Sequence, residues 1–417
     1  MKEIGGGVCA AKGFKAGGVR CGIKASAKKR DLALIYSETV CAAAGVFTTN
    51  RVKAACILVS QENLKGGALR AIIANSGNAN ACTGEAGIAA SRRMTELAAE
   101  VLAIEPAEVA VASTGVIGVP LPIAVIESGI AALGNSLSAD EGGHAAALEA
   151  IMTTDTRPKD CAVEVEIGGK PVRIGGMIKG AGMIHPNMAT LLCFITTDAA
   201  IDSTVLDSCL RNSARRSFNR ITVDGDTSTN DAAIIMANGL AGNPPITAAG
   251  AEREVFERAL EALCVKLARA AARDGEGATK LLTVAVSGAK NEDTAEALAK
   301  AVASSSLVKA ACFGEDANWG RILCAMGYSG AEFDPAAVDI SFTNGDGTRS
   351  GAGSGGEEAV VCQGGASVPF SEETAKRILS RENIEIRIKA GAGAGAATAW
   401  GCDLTFDYVK INGSYRT

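Results

Sequence analysis

Several short stretches of the chain either alternate apolar and polar residues with a period of two or are short apolar runs, and both patterns are consistent with β-strands. The predicted strands are DLALIY (31–36), ILVS (57–60), RAIIANS (70–76), EVAVAS (108–113), KLLTVAVSGA (280–289), NIEIRIKA (383–390) and CDLTFDYVKI (402–411). Between residues 160 and 176, apolar residues alternate with charged ones on both sides of Gly168-Gly169. Two glycines supply the positive φ angles of a tight turn, so this stretch predicts a hairpin.

Longer stretches follow the helical period instead. Residues 84–104 and 250–273 are amphipathic, residues 291–310 continue the pattern, and Asp202 is a suitable N-cap for a helix ending near Arg216. Strands and helices are mingled throughout the chain. We therefore expect a mixed α/β (α+β) fold, a layered sandwich in which helices flank mixed sheets. A length of 417 residues favours two or three folding units or one large α/β body.

Composition and charge exclude several classes of protein. The chain is 47% apolar and 21% charged, as expected of a globular protein, and its net charge is −5. The densest basic run, Lys28-Lys29-Arg30, has no interleaved aromatic residue, which argues against nucleic acid as a partner. The start of the chain has no apolar signal region, and no stretch of 18 uncharged apolar residues occurs. We expect a cytoplasmic protein that does not bind a membrane.

The thirteen cysteines are scattered, several of them inside apolar runs, and none forms a C-x-x-C pair. His144 and His185 are the two histidines of the chain. A zinc site or a cysteine–histidine protease requires more ligands or partners than this. We expect free, structural thiols and no metal site.

Two motifs resemble known binding loops and are rejected. GAGAGA (391–396) resembles a dinucleotide-binding loop, but a strand rather than a helix is predicted after it, and the remaining residues are too few for a βαβ unit. DGDTSTND (224–231) resembles the start of a calcium loop. Thr229 and Ile235 occupy the positions where an EF-hand requires Gly and Glu. A flexible turn and a tight polar loop are the better interpretations.

The segment KGAGMIHPNMATLLCFITTDA (179–199) is the most unusual in the chain. It can be an ordinary loop that enters a buried strand, in which case Thr190 is incidental. Alternatively, the Thr190 hydroxyl attacks the carbonyl of Ala189, and hydrolysis of the resulting ester frees an N-terminal threonine. Its α-amine, with a usual pKa of about 7.7–8.0, then serves as the base for the hydroxyl.

A second candidate is ASTGVIG (112–118), which follows a predicted strand. Taken alone, it is an ordinary turn at the end of a strand. It can also form an oxyanion hole, in which the Thr114 hydroxyl and the Gly115 N–H point at one ligand oxygen.

These segments together resemble the ornithine acetyltransferase family, the glutamate N-acetyltransferases of arginine biosynthesis. The resemblance covers essentially the whole chain, with the blocks in the family's order. Besides the segments around Thr190 and Thr114, the blocks are GVFTTNRVKAA (45–55), ANSGNANACTGEAG (74–87), MTTDTRPK (152–159), VDGDTSTND (223–231), DGEGATK (274–280), FGEDANWGRIL (313–323) and AWGCDLTFDYVKINGSYRT (399–417).

The resemblance implies a role for each matching residue. Thr190 is expected to be the nucleophile, with self-cleavage between Ala189 and Thr190, and Thr114 and Gly115 are expected to form the oxyanion hole. The implied substrate-binding residues are Thr153, Lys179, Thr190, Glu276, Asn412 and Thr417. Lys179 suits the substrate α-carboxylate, and Glu276 suits the side-chain ammonium of ornithine.

Cleavage would divide the protein into an α chain (1–189) and a β chain (190–417), of the N-terminal-nucleophile type. The family implies a heterotetramer of two α and two β chains. The implied reaction moves an acetyl group from N2-acetylornithine to glutamate without a cofactor, and the sequence does not decide whether acetyl-CoA also serves as a donor. Two alternatives stay open, namely an amide hydrolase with the same nucleophile and an uncleaved, non-enzymatic binding protein.

Overall fold

The strands of this chain form two separate sheets, one in each of two units. The computed structural model describes residues 1–26, 28–185, 191–344 and 357–414. The first unit contains residues 1–219 and 227–267, and the second contains 220–226 and the described chain from Ala268 onward. Of the expected arrangements, the chain therefore adopts two folding units.

Nine strands, counted over the described residues, form the sheet of the first unit. Their order is β1-β6-β7-β8-β9-β3-β4-β5, with β2 paired to β3. The strands are β1 (Lys2–Ile4), β2 (Phe14–Val19), β3 (Leu32–Phe47), β4 (Ala68–Asn78), β5 (Val109–Val116), β6 (Asp160–Ile167), β7 (Lys170–Lys179), β8 (Leu192–Thr197) and β9 (Ala232–Ala237). β4 is parallel to β5 and β8 is parallel to β9, whereas the other neighbours are antiparallel, so the sheet is mixed.

Helices cover both faces of this sheet. They are α1 (Ala55–Asn63), α2 (Gly84–Leu102), α3 (Ile123–Asn135), α4 (Glu141–Ile151), α5 (Ser203–Arg216) and α6 (Ala251–Arg273, of which the part up to Leu267 belongs to this unit). On one face, apolar residues of α1 to α4 pack with Phe194 of β8 in one buried cluster. On the other face, Leu263 and Leu267 of α6 lie 3.1 and 3.0 Å from where a Cβ on Gly176 would be. The layered arrangement predicted from the sequence is confirmed.

The second unit has a smaller mixed sheet with helices on its apolar face. Its order is β13-β12-β11-β14-β10-β15, with β10 and β14 parallel and the other pairs antiparallel. The strands are β10 (Leu281–Ala289), β11 (Val338–Thr343), β12 (Glu358–Gln363), β13 (Ala366–Ser367), β14 (Asn383–Ala390) and β15 (Gly395–Cys402). The helices are α7 (Glu292–Ser304), α8 (Ser306–Phe313), α9 (Trp319–Gly327), α10 (Glu372–Leu379) and α11 (Phe406–Ser414). Residues of α7 to α10 share one buried cluster with the strands.

Several local predictions are confirmed in detail. Gly168 and Gly169 have φ angles of 56° and 73° in the turn between β6 and β7. The Asp202 side chain accepts a hydrogen bond from the Thr204 N–H and caps α5. The helix predicted over 291–310 is two helices, because Ser305 ends α7 and caps α8 with its hydroxyl.

Two predicted strands are wrong. ILVS (57–60) lies inside α1, and most of CDLTFDYVKI lies in or beside α11, with β15 ending at Cys402. In the second case Asp403 ends the strand, because its carboxylate accepts hydrogen bonds from the Thr279 N–H and hydroxyl and from the Lys280 N–H.

The remaining expectations concern the cysteines and the membrane. All thirteen cysteines are free thiols, and nine of them are buried. Burial raises the pKa of the Cys41 thiol to about 12, so the thiol is unreactive at neutral pH. Within the described ranges no helix has both the length and the apolar character that crossing a bilayer requires.

Candidate active site

The carboxyl ends of β4 and β5 meet at one edge of the first sheet, and the predicted oxyanion turn lies there. Ser76 is paired with Thr114, and Gly77 with Gly115. Gly115 has a φ of +133°, and a Cβ at this position would lie 2.4 Å from the Gly77 carbonyl carbon. Only glycine fits, because both the dihedral angle and the close approach of two backbones exclude a side chain.

Lys179 is the last residue of β7, and its side chain reaches the same turn. The Lys179 Nζ donates a hydrogen bond to the Thr114 Oγ1 over 3.2 Å. Lys179 is only 9% exposed. The structure thus brings together two residues that the sequence predicted for one site and that are 65 positions apart.

Asp155 joins two further parts of the predicted site. Its Oδ2 accepts a hydrogen bond from the Thr153 N–H (2.8 Å), and its Oδ1 accepts one from the Gly180 N–H (2.7 Å). The Asp155 carboxylate thereby ties the predicted binding residue Thr153 to the backbone that follows Lys179.

Two buried ammonium groups compensate the Asp155 carboxylate. Its Oδ1 lies 2.7 Å from the Lys159 Nζ, and the side chains of Asp155 and Lys159 are 0% and 2% exposed. Burial by itself would raise the pKa of Asp155, but the charges of Lys179 and Lys159, with hydrogen bonds from Lys159 and Thr153, hold that pKa well below its usual range. Asp155 is therefore ionised at neutral pH.

A third lysine lies close to this group. The Lys24 Nζ donates to the carbonyl oxygens of Met152 (2.7 Å) and Arg30 (2.8 Å). Burial lowers the pKa of Lys24 to about 8; Asp31 opposes this shift, and the ammonium of Lys179 adds to it. The first unit thus holds a compact group of charges beside Thr153.

Asn230 connects the polar loop 224–231 to the oxyanion turn. Its Nδ2 donates to the carbonyl oxygens of Ala79 (2.6 Å) and Ser113 (2.9 Å), and its Oδ1 accepts from the Thr229 hydroxyl (2.6 Å). Ser113 immediately precedes Thr114, so this buried amide fixes the backbone on which the predicted oxyanion donor depends.

Asp155, Lys159, Lys24 and Asn230 were not predicted from the sequence to have a role in the site. The first two were inside the block MTTDTRPK, where charged residues between elements normally face solvent. The sequence did contain one signal for them. Asp155 and Lys159 are four residues apart in a segment that also contains the predicted binding residue Thr153.

In the second unit, the structure brings together Glu276 and Asn412. The Asn412 Nδ2 donates to the Glu276 Oε2 over 2.8 Å and also to the Tyr408 carbonyl oxygen over 3.1 Å. Glu276 is 8% exposed. Burial raises the pKa of the nearby Tyr408 hydroxyl, and the carboxylates of Asp224, Glu276 and Asp226 raise it further.

Three predicted residues, Ala189, Thr190 and Thr417, lie outside the described residues. Their roles stay predictions. The strand predicted to follow Thr190 is confirmed, since β8 begins at Leu192 and all its residues are buried. The Leu191 carbonyl oxygen accepts a hydrogen bond from the Ala232 N–H over 2.9 Å. The described residues contain no group of three or more His, Cys, Asp or Glu that is arranged to hold a metal.

A hydroxyl and a backbone N–H at a tight glycine turn are groups of the kind that can donate to the oxyanion of an acyl transfer. The model of the ArgJ family matches residues 15–417. The arginine biosynthesis bifunctional protein ArgJ of Symbiobacterium thermophilum is 53% identical over 418 residues, which cover 100% of both chains. The protein of the same name from Caldanaerobacter subterraneus is 51% identical, again over 100% of both. This chain belongs to the ArgJ family.

A solved structure of a relative is also similar. A chain in the crystal structure of the arginine biosynthesis bifunctional protein ArgJ from Bacillus halodurans is 44% identical. The match covers 53% of the present chain and 98% of that chain, with a TM-score of 0.48.

Proposed function

We propose that this chain transfers the acetyl group of N2-acetylornithine to glutamate, giving ornithine and N-acetylglutamate. As a member of the ArgJ family, the chain is an acetyltransferase of arginine biosynthesis. The observation that carries the finer assignment is the contact of Lys179 with Thr114 beside Gly115, because a hydroxyl and a backbone N–H with a cation behind them suit a developing oxyanion.

The proposed cycle has two half-reactions on Thr190. Its hydroxyl attacks the acetyl carbonyl of N2-acetylornithine while its own α-amine accepts the hydroxyl proton. The C–N bond then breaks, the proton passes to the leaving nitrogen, and ornithine departs. The neutral α-amine of glutamate attacks the acetyl-Thr190 ester, and the C–O bond breaks. A proton passes from the attacking nitrogen through the Thr190 α-amine to the threonine oxygen, which restores the hydroxyl as N-acetylglutamate leaves.

Thr114 and Gly115 are proposed to stabilise the tetrahedral oxyanion in both half-reactions. What supports this is the fixed backbone of the turn, which Gly77 packs against from β4 and Asn230 holds at Ser113. A preorganised donor needs no rearrangement when the charge develops, and such donors are among the largest contributors to catalysis.

Substrate binding is proposed for Thr153, Lys179, Thr190, Glu276, Asn412 and Thr417. The buried Glu276 carboxylate, bonded to Asn412, is suited to a side-chain ammonium such as that of ornithine. One set of residues then serves two α-amino acids in turn, as a ping-pong scheme requires.

The same proposal includes processing and assembly. Self-cleavage between Ala189 and Thr190 gives an α chain (1–189) and a β chain (190–417), which assemble as two of each. The enzyme is proposed to be cytoplasmic, to act on small molecules and to need no cofactor. The assay with acetyl-CoA described next tests whether acetyl-CoA is a second acetyl donor.

The test is an assay of purified enzyme with N2-acetylornithine or acetyl-CoA as donor, in the presence and absence of glutamate. We expect N-acetylglutamate from acetylornithine only when glutamate is present, with little acetate, because a bound acceptor has a high effective concentration beside the ester. Thr190→Ala serves as the inactive control. Acetate release at the same rate with and without glutamate would instead identify an amide hydrolase.

A further inference from the structure

In the hydrogen bond between Lys179 and Thr114, the chemistry of the two groups decides which of them is the donor. An ammonium group carries three donors and no acceptor, whereas a hydroxyl carries one donor and two lone pairs. The 3.2 Å contact therefore uses a lone pair of the Thr114 Oγ1, and the hydroxyl proton is directed elsewhere. A hydroxyl that accepts from a cation is also a stronger donor, because hydrogen bonds in a chain polarise one another.

We propose that Lys179, which precedes the backbone N–H that Asp155 binds, acts on acetyl transfer through Thr114, by fixing and polarising the Thr114 hydroxyl as a donor to the oxyanion. Lys179 is then a positioning residue for Thr114 in addition to the substrate-binding role proposed for it above, since its ammonium has three donors. This inference rests on the proposed function, because it requires that Thr114 stabilise an oxyanion.

Asp155 is the anchor of this arrangement. Its carboxylate accepts hydrogen bonds from the Thr153 and Gly180 N–H groups and thereby fixes the backbone next to Lys179. Its side chain is 0% exposed, and the charge of Lys179 is among the main causes of its low pKa. Asp155 thus fixes the backbone beside Lys179 and places a negative charge near its ammonium.

The two roles of Lys179 predict different kinetics. A residue that binds the substrate carboxylate contributes to binding in the ground state, so its loss raises KM. A residue that polarises Thr114 contributes when the oxyanion forms, so its loss lowers kcat. In addition, its effect depends on the presence of the Thr114 hydroxyl, and residues that act as a unit are strongly non-additive.

The experiment is a double-mutant cycle of Lys179→Met with Thr114→Ala, followed by the same cycle with Thr114→Ser. The kcat of acetyl transfer is measured per processed Thr190 chain, counted by intact mass. We expect Lys179→Met to lower kcat about tenfold or more, as for a charge-assisted hydrogen bond, in addition to any rise in KM from its substrate contact. In the Thr114→Ala background, Lys179→Met should lower kcat by less than about threefold. In the Thr114→Ser background, it should again lower kcat about tenfold.

Lys280→Met is the matched control for loss of a buried ammonium. Lys280 is 6% exposed, and its Nζ donates to the Cys312 carbonyl oxygen over 2.8 Å. This change should lower Tm while kcat stays within about threefold. If Lys179→Met does not fold, Asp155→Asn replaces it in the cycle, with the same expected dependence on the Thr114 hydroxyl.

Equal effects of Lys179→Met on kcat in all three Thr114 backgrounds, or a rise in KM with kcat unchanged, would overturn the inference and leave Lys179 with the substrate carboxylate alone. Wild-type enzyme that transfers no acetyl group would instead refute the proposed function, so the two failures are distinguishable.

Discussion

Gly115 is required both by the backbone geometry of the turn and by its proposed role in the oxyanion hole. A Cβ at this position would lie 2.4 Å from the Gly77 carbonyl carbon, in addition to requiring a φ of +133°. Gly118 also has a positive φ (+78°) but has nothing within 4 Å of its would-be Cβ. Alanine variants of the two glycines can therefore separate two destabilising effects, the strained dihedral angle and the steric clash of the added Cβ.

We expect Gly118→Ala to cost about 1–2 kcal/mol of unfolding free energy and to leave kcat nearly unchanged, because only the backbone conformation is strained. Gly115→Ala must also push β4 and β5 apart, so it should lower kcat by about 100-fold or more, as does loss of an oxyanion donor. Chemical denaturation and steady-state kinetics measure the two effects. Equal kcat values for the two variants would contradict the account of the turn.

Asp155 links the stability of the first unit to pH. Its pKa is depressed in the folded state, so its contribution is fully present above its unfolded pKa of about 3.9 and is lost as pH falls through the lower, folded value. Asp155→Asn should cost about 3–5 kcal/mol at pH 7, because it leaves buried ammonium groups uncompensated.

The measurement is the difference in Tm between wild type and Asp155→Asn as a function of pH. The difference should be constant from pH 7 to about pH 5 and should shrink below about pH 4, where Asp155 of the unfolded wild type binds a proton that the folded state does not yet bind. A difference that grows as the pH falls would mean that Asp155 is not ionised in the folded protein.

The same residues show which parts of the site could be predicted from the sequence and which could not. Thr114, Gly115 and Lys179 were predicted for one site, and the structure brings Thr114 and Lys179 into contact. Asp155 was missed because its burial depends on Lys159, Lys179 and two backbone N–H groups that lie together only in the folded chain.

At the scale of elements, β5 is held at both ends by asparagine side chains. Asn230 donates to the Ser113 carbonyl oxygen near the end of the strand, and Asn63 donates to the Val109 carbonyl oxygen (2.8 Å) at its start and to that of Pro106 (3.1 Å). The two amides make the same number of bonds to carbonyl oxygens, which makes Asn63 a matched control for Asn230.

Asn230→Ala and Asn63→Ala should each cost about 1–3 kcal/mol of unfolding free energy, since each leaves backbone carbonyl groups unpaired. Only Asn230→Ala should also lower kcat, by about tenfold or more, because only its bonds lie next to the oxyanion turn. Denaturation curves and kcat for both variants test this. If the two asparagines affect kcat equally, Asn230 does not position the turn.

The predictions that failed at this scale did so for physical reasons. ILVS is a four-residue apolar run, and periodicity over four residues does not separate a strand from a buried helix. CDLTFDYVKI alternates like a strand, yet Phe406 and Val409 are 83% and 68% exposed on α11. There the bonds from Asp403 to Thr279 and Lys280 end the strand, and no local pattern contains that information.

At the scale of the whole molecule, the two folding units do not coincide with the two chains expected from cleavage. The first unit runs from Met1 to Asn219 and resumes at Thr227, so a break between residues 189 and 190 would fall within it. The fold class was predictable because strands and helices have different periods along the sequence. The division into units was not, because it depends on contacts between distant segments, such as Arg220 with Glu292 and Glu296.

The measurement that tests the central claim most directly is the intact mass of the enzyme before and after addition of N2-acetylornithine, and again after glutamate. We expect two chains, of 189 and 228 residues, which together account for the 417 of the sequence. Acetylornithine alone should add one acetyl group to the longer chain, and glutamate should remove it. Thr190→Ala should give one full-length chain that takes up no acetyl group. A single uncleaved chain in active enzyme, or acetyl transfer without an adduct on the longer chain, would contradict the account.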